Sequence, residues 1–400
     1  MKLKAPASFA LSLAIGQAHA QGTVTLYGIV DEGVNWTSNT GGHTLYNLTS
    51  GGIQASRLGF RGLEDLGGGI SVLFVLENGF DASSGALGQR NVGSTQGLMF
   101  GRQAYVGLDS KYGSVLLGRQ YDSVVDYVGP YEAGTQWGGY FSAHPGDLDN
   151  LNNAYRTNNA LKYVSKSYDG LSFGGVYSLG GVAGAPSRNR VWSVGTRYAT
   201  GPLSLGFGYL NVRNPNVGFF GDNGTSAPAT SSGIYISSPV YSGYASATTY
   251  QVAAMGAAYA LGPATFGATY SNVQFRGLGS VAESGPDQQG YRGSAIFNNV
   301  ELNFKYQVTP ALLLGIAFDF TNGSHVRSAN SSNAGAKYYQ ASIGADYFVS
   351  KRTDAYLIAV TQQASGTDST GKTAVAAINL VSPSTTNRQS ILRVGIRHKF

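Results

Sequence analysis

Leu392-Arg393-Val394-Gly395-Ile396-Arg397-His398-Lys399-Phe400 alternates with period two. Leu392, Val394, Ile396, His398 and Phe400 share one face, and Arg393, Arg397 and Lys399 share the other. Side chains of a strand point to opposite faces in turn, so this is a strand with one apolar and one cationic side. The pattern recurs upstream. Tyr339, Ala341, Ile343, Ala345 and Tyr347 alternate with Gln340, Ser342, Gly344 and Asp346. Val300, Leu302, Phe304 and Tyr306 alternate with Glu301, Asn303 and Lys305. Further apolar faces are Leu312 to Phe320, Leu203 to Tyr209, and Val24, Leu26 and Val30 opposite Tyr27 and Asp31.

The connections set the architecture. Tight turn signals occur at Asp65-Leu66-Gly67, Ser110-Lys111-Tyr112, Asp169-Gly170, Gly201-Pro202, Gly262-Pro263, Thr309-Pro310 and Lys351-Arg352. Between them lie longer Gly-, Ser-, Asn- and Asp-rich stretches: 37–52, 81–96, 122–156, 180–189, 215–247, 277–293, 323–337 and 365–388. Seven short turns interleaved with eight long loops predict an all-β, 16-stranded antiparallel transmembrane β-barrel over 21–400. Its short turns are expected on the periplasmic side and its long loops outside the cell. In hydrocarbon every backbone amide must be paired, and closing the sheet removes its free edge.

Composition agrees. Charged residues make up 12% of 400, where soluble proteins carry about 25%, and glycine reaches 57. Mean hydropathy is -0.09, too polar for a bundle of membrane helices. A soluble sandwich or propeller would need a well-charged solvated face, and the charges are too few. The most apolar stretch, 251–270, is broken by Gly262-Pro263 and reads as a hairpin. Cysteine is absent, so a disulfide framework or thiolate metal site is excluded.

Residues 1–20 read as a secretory signal cleaved after Ala20. Lys2 and Lys4 precede a mostly apolar run to Ile15, and Ala18-His19-Ala20 offers the small-x-small site. The run is shorter than the ~20 residues of a spanning helix.

A sixteen-stranded barrel is too wide for its own side chains to fill and encloses water. A cation facing lipid at mid-membrane costs about 2–4 kcal/mol, so charged residues are expected on the lumen side. That rule places Arg57, Arg61, Arg102, Lys162, Arg197, Lys305, Arg393, Arg397 and Lys399 inside, with Asp31, Glu77, Glu301, Asp319 and Asp346. Bases outnumber acids on the wall. Glu32 falls on the outward parity of the first strand. A bulge, a rim position, or contact with protein at a subunit interface would each account for it. In the last case Glu32→Leu should perturb the oligomer.

The longest loop, 122–156, carries Asp122, Asp126, Glu132, Asp147 and Asp149. Folded into the lumen, it would narrow the pore and set acids opposite the arginine wall, where rings of charge select ions. The other reading is that it caps the outer mouth with its acids solvated.

Several segments resemble the general porins of Gram-negative proteobacteria, especially the β-proteobacterial trimeric type. These are Thr25-Leu26-Tyr27-Gly28, then Ser56-Arg57-Leu58-Gly59-Phe60-Arg61-Gly62 with Glu64-Asp65-Leu66-Gly67-Gly68-Gly69. Arg102-Gln103-Ala104-Tyr105-Val106-Gly107-Leu108, Leu117-Gly118-Arg119-Gln120-Tyr121, Arg156 with Asn158-Asn159 and Lys162-Tyr163, and the ending Val394 to Phe400 complete the match. The resemblance implies an outer-membrane homotrimer with the third loop folded inside each pore. It implies that Arg57, Arg102 and Arg156, with Arg61 nearby, form the basic side of the constriction. The facing acids would come from Asp122, Asp126, Asp147 and Asp149, although 122–156 carries no family motif. Lys162, Arg393 and Arg397 would line the lumen elsewhere. Phe400 resembles the signal read by the outer-membrane assembly machinery, with His398 where an aromatic is more usual.

Enzymatic and ligand motifs are weak. Gly170-Leu171-Ser172-Phe173-Gly174 fits a nucleophile elbow, but it starts a strand after a tight turn instead of leading into a helix. His43, His144, His325 and His398 show no metal-ligand spacing. No cofactor is expected, and the dispersed cations give no nucleic-acid patch. The expected function is passive diffusion of small hydrophilic solutes and ions, with a mild anion preference. The expected partners are lipid, lipopolysaccharide and two further copies of the chain. The alternatives are a substrate-specific channel of the same fold and, from a different class, an outer-membrane barrel hydrolase.

Overall fold

The computed structural model describes residues 22–88, 97–221, 236, 238–328 and 332–400. The signal segment 1–20 and parts of the loops 81–96, 215–247 and 323–337 therefore lie outside the described residues.

Sixteen strands form one closed wall. The first half is β1 Thr23–Thr40, β2 in two collinear pieces (His43–Ser50 and Arg57–Gly67), β3 Ile70–Gly79, β4 Gln103–Ser110, β5 Gly113–Gln120, β6 Thr157–Val164, β7 Leu171–Ser178 and β8 Val191–Thr200. The second half is β9 Leu203–Arg213, β10 Thr249–Leu261, β11 Ala264–Leu278, β12 Tyr291–Thr309, β13 Leu312–Gly323, β14 Ala336–Phe348, β15 Thr353–Gly366 and β16 Arg388–Lys399. Each strand pairs antiparallel with its neighbour in sequence. The ring closes where β1 meets β16, with Glu32 opposite Ile396 and Val34 opposite Val394. Among the described residues no helix is long and apolar enough to cross a membrane.

The seven tight turns fall close to the expected places. At the first of them the strand runs on through Gly67, and Gly68 and Gly69 take φ of 63° and 78°. Two consecutive positive φ values suit the right-handed twist of a two-residue hairpin, and glycine adopts them without strain.

The stretch 37–52, expected as a loop, is mostly strand. β1 and β2 continue to a two-residue turn at Gly41-Gly42, pairing Trp36 with Tyr46 and Thr40 with His43. Its Asn and Thr residues resemble a loop because the inner face is polar: Asn35 donates to Asn47 and Thr49 at 3.1 and 2.8 Å. The true irregularity is 51–56, which leaves the wall and turns into the lumen. The amides of Gly52, Ile53 and Gln54 donate to the Asp31 carboxylate at 2.9–3.1 Å, and Arg393 pairs with the same carboxylate at 3.2 Å.

Outward residues such as Val24, Leu117, Leu302, Ile316, Ile343 and Val394 are exposed, as an apolar belt requires. Glu32 keeps its outward parity with no bulge between Ile29 and Thr37, and accepts hydrogen bonds from Ser83 of the second loop at 3.0 Å. The inner face departs from expectation on one side. Leu210, Val212, Tyr250, Val252, Phe275, Phe297 and Tyr338 point inward, yet they are apolar or aromatic and buried. They are covered by loop residues Phe219, Phe220, Tyr241 and Tyr244, whose rings lie 5.2–6.0 Å from those of Tyr250, Phe275 and Phe297. A wall position that faces protein follows core chemistry instead of lumen chemistry.

Candidate functional site

The basic side of the lumen is built by β1 to β6. Arg57 opens the second piece of β2 where the chain returns from 51–56, and Glu77 stands near it on β3. Arg102, just before β4, bonds Glu77 at 2.7 Å; Arg57 lies 4.0 Å from the same carboxylate, and the Tyr27 hydroxyl donates to it at 3.0 Å. Arg102 also donates to the Tyr121 hydroxyl at 2.8 Å, and the Arg156 guanidinium stacks 5.4 Å from the Tyr121 ring. Arg102 Nη1 and Arg156 Nε are buried and have no protein acceptor. Arg61 lies further along β2, over the Tyr27 ring at 5.5 Å. Arg57, Arg102 and Arg156 thus converge around one carboxylate and two tyrosines.

The second tyrosine comes from the third loop, 121–156, which crosses the lumen as short helical turns: Ser123–Tyr127, Gly129–Tyr131, Gly134–Gly138, Tyr140–Ser142 and Pro145–Asp147. Wall glycines open its path. Gly206 faces Gly256, Gly195 faces Gly208, and Gly315 faces Gly344 across neighbouring strands. A β-carbon at Gly195 would run into Tyr127, at Gly256 into Tyr131, and at Gly315 into the Trp137 indole. Only glycine leaves room for the loop this close to the backbone. Wall side chains then hold the loop: Asn303 donates to Tyr131 O at 2.8 Å, Gln340 to Ala143 O at 2.9 Å, and Tyr250 to Leu148 O at 2.7 Å. On the basic side the Tyr140 amide donates to Gly52 O at 3.0 Å, so the excursion 51–56 supports the loop's far edge.

The four loop acids do not form a row facing the arginines. Asp122 caps the first helical turn, accepting from Val124 and Val125 at 2.8 and 3.3 Å. Asp147 accepts from the amides of Asn152 and Ala154 at 3.0 and 2.9 Å. Asp149 bonds His144 and Ser271 at 2.6 and 2.5 Å. Asp126 alone reaches a wall cation, pairing with Lys162. What the loop sets among the arginines is Tyr140. Burial raises its phenol, but Arg102, Arg57 and Arg156 outweigh that and hold its pKa below the usual tyrosine value. Arg102, Arg156, Tyr140 and Asp147 line a cleft of about 280 Å³ that also touches Asp81 and Leu380. Burial, with the charge of Asp149, pushes the Asp147 carboxyl above the usual aspartate range.

The remaining expected residues are structural in their contacts. Arg393 is fully buried, donating to Tyr356 at 2.7 Å and Asn35 at 2.9 Å beside its pair with Asp31. Arg397 pairs with Asp354 and Asp346 at 2.9 and 3.3 Å. Phe400 exchanges two backbone hydrogen bonds of 3.1 Å with Gly28, and its ring covers that glycine. Ser172 sits inside β7, and among the described residues no histidine hydrogen-bonds it.

Reading by spacing missed two features. One is the glycine track, whose signal was available: glycines in mid-strand on the inward parity. The other is a buried group behind the loop, where His144 meets Asp149 at 2.6 Å, Asp319 at 3.5 Å and Glu301 at 3.8 Å. Burial disfavours a charged His144, yet Asp149 and Asp319 outweigh it and hold its pKa well above the usual histidine range. Burial pushes Glu132 well above the usual carboxylate range.

Known proteins share this arrangement of the wall. A family model described as Gram-negative porin matches residues 7–367. An outer membrane porin protein of Bordetella pertussis is 33% identical over 230 residues, covering 50% of this chain and 57% of that protein. The chain therefore spans little more than half the length of the curated relative it matches. An anion-selective porin from Comamonas acidovorans superposes with a TM-score of 0.69 at 22% identity, over 95% of this chain and 100% of that one. The trimer form of OmpT from Vibrio cholerae gives 0.62 at 15% identity, over 95% and 99%. At these identities the two structures share the fold.

Proposed function

The chain belongs to the Gram-negative porin family, and on that premise we propose an outer-membrane pore through which small hydrophilic solutes and ions diffuse, with a mild preference for anions. One observation carries the preference: Arg57, Arg102 and Arg156 gather around Tyr140 and Tyr121, while Asp122 and Asp147 are tied into the loop's own hydrogen bonds and Asp149 is held by His144 and by Ser271 of the wall. In a gap comparable to the ~8 Å Debye length at physiological salt, such charges act poorly screened. Glu77 offsets one of the three guanidiniums and leaves a basic surplus.

Selection then follows from the wall. The loop narrows the lumen and sets the size limit, and the positive charge of Arg102 and Arg156 along the cleft, with Arg57 partly exposed beside them, favours a passing anion. Conduction needs binding weak enough to release, and water at the cleft supplies the competing acceptor. The exposed apolar belt supports a lipid setting, and the trimeric relative supports a homotrimer. Lipopolysaccharide contact outside and recognition of Phe400 by the assembly machinery belong to the same reading.

Reconstituted protein in a planar bilayer under a potassium chloride gradient tests this directly. The expected reversal potential favours chloride. A reversal potential favouring potassium would overturn the preference, and a lack of any conductance would overturn the pore.

A further inference from the structure

Behind the third loop, in its seam with the wall, Glu132 and His144 of the loop meet Glu301 of β12 and Asp319 of β13, all buried. Each carboxylate spends one oxygen on a protein donor. Glu132 Oε1 accepts the His144 amide at 3.1 Å, Glu301 Oε1 accepts the Ala133 amide at 2.8 Å and Asn303 at 2.7 Å, and Asp319 Oδ2 accepts Thr321 at 3.3 Å. Three other atoms are buried without a hydrogen-bond partner: Glu132 Oε2, Asp319 Oδ1 and His144 Nε2. Other buried polar atoms of the seam also lack partners, Trp137 Nε1 and Thr269 Oγ1 among them, but among the described residues only these three combine two carboxylate oxygens with an imidazole nitrogen.

We infer that this point binds one divalent metal ion of the zinc class, ligated by His144 Nε2, Glu132 and Glu301, with Asp319 as fourth ligand. The Glu132, His144 and Glu301 ligand atoms all lie within 4.8 Å of one another. Around zinc, with bonds of about 2.0–2.2 Å, tetrahedral ligands stand roughly 3.3–3.6 Å apart. His144 Nε2 is already 3.5 Å from Asp319 and 3.8 Å from Glu301, so small side-chain movements close the shell. Asp149, 2.6 Å from His144 Nδ1, is the outer-shell carboxylate that fixes the tautomer and turns Nε2 toward a metal. Calcium and magnesium want six or more oxygens or several waters, whereas an imidazole with a few carboxylates suits zinc and its neighbours. Two ligands sit on the loop and two on the wall, so the ion clamps one to the other.

Protein refolded with Zn²⁺ and passed through gel filtration should retain about one zinc per chain, measured by elemental mass spectrometry. Co²⁺ in its place should show the visible absorption of a tetrahedral site. H144Q and E301Q should lose the metal, D149N should weaken its binding about 10–100-fold, and H398Q should leave it unchanged. If H144Q fails to refold, D149N and the wild-type Co²⁺ spectrum decide. Wild type that retains no metal, or shows only octahedral Co²⁺, overturns the site and leaves the carboxylates sharing protons. Metal retained undiminished by H144Q places it elsewhere and overturns the site as well. Conductance is not the readout, so the result is independent of the pore reading.

Discussion

The two arcs of the inner wall obey different rules although their outer faces are alike. From β1 to β6 the inward positions are ionic: Arg57, Arg61, Glu77 and Lys162 face the cleft or the loop's basic edge. From β8 to β14 folded loop covers them: Gly206, Gly256, Gly315, Val212, Phe275 and Gln340 lie beneath the third and fifth loops, and even the acids Glu301 and Asp319 are buried there. Outside, both arcs present Val, Leu, Ile and Phe. Lipid imposes one demand on every strand, whereas the lumen face answers to whatever covers it, water on one arc and folded loop on the other.

Charge reversal should divide the arcs most sharply. Arg57→Glu and Arg102→Glu each convert a cation beside Glu77 into a second carboxylate, so the reversal potential should swing from chloride toward potassium. Arg57 is the safer probe because its side chain is partly exposed, while Arg102 is almost completely buried. Lys305→Glu, on the covered arc and paired only with Thr265 and Gly315 of the neighbouring strands, makes the same charge change. It should move the potential much less. Equal shifts from Arg57→Glu and Lys305→Glu, measured in the bilayer, would show that selectivity is a property of the whole lumen and erase the distinction.

The next largest effect tests the covered arc. Gly315→Val drives a branched side chain into the Trp137 indole. Overpacking of this kind costs about 1–3 kcal/mol, and the loop is the softer partner. Single-channel recordings should show altered and noisier conductance, with a lower unfolding midpoint, and Trp137→Ala should restore the midpoint in part. The same valine at outward Gly175, where the nearest atom is 3.1 Å away, should be milder.

These contrasts also show what was legible in advance. The alternation around Leu392 to Phe400, and its repeats, revealed two-faced strands because lipid penalises every outward charge in the same way, and the interleaved short turns and long loops gave their number, sixteen. Inward arginines followed from parity, and Arg57 and Arg102 do stand together. Arg156 came only through family resemblance, since no strand alternation reaches it. The fates of Asp122 and Asp147 were hidden because their partners are amides and side chains that the loop's own turns bring close, and that of Asp149 because the distant wall residue Ser271 shares it with His144. The group at His144 joins residues 132, 144, 149, 301 and 319, which meet only once the ring has closed. The stretch 37–52 misled because a strand with Asn and Thr on its wet face has the composition of a loop.

The smallest effect probes how firmly the loop's own acids belong to the covered arc. Asp122 is buried at the start of the first helical turn, accepts from Val124, Val125 and Asn150, and burial pushes its pKa up to about 6. An unfolded aspartate titrates near 3.9, so between these values the native state binds more protons than the unfolded one. Its contribution to stability is therefore complete below about pH 4 and is lost as pH rises through about 6. Asp122→Asn keeps a good helix cap but cannot ionise. In detergent, its unfolding free energy from urea titration should match wild type at pH 4 and exceed it at pH 8 by about 1 kcal/mol, after deducting the Asn150 hydrogen bond it loses. Parallel free-energy curves for the two proteins would mean that Asp122 reaches water, and that this end of the loop faces the ionic arc.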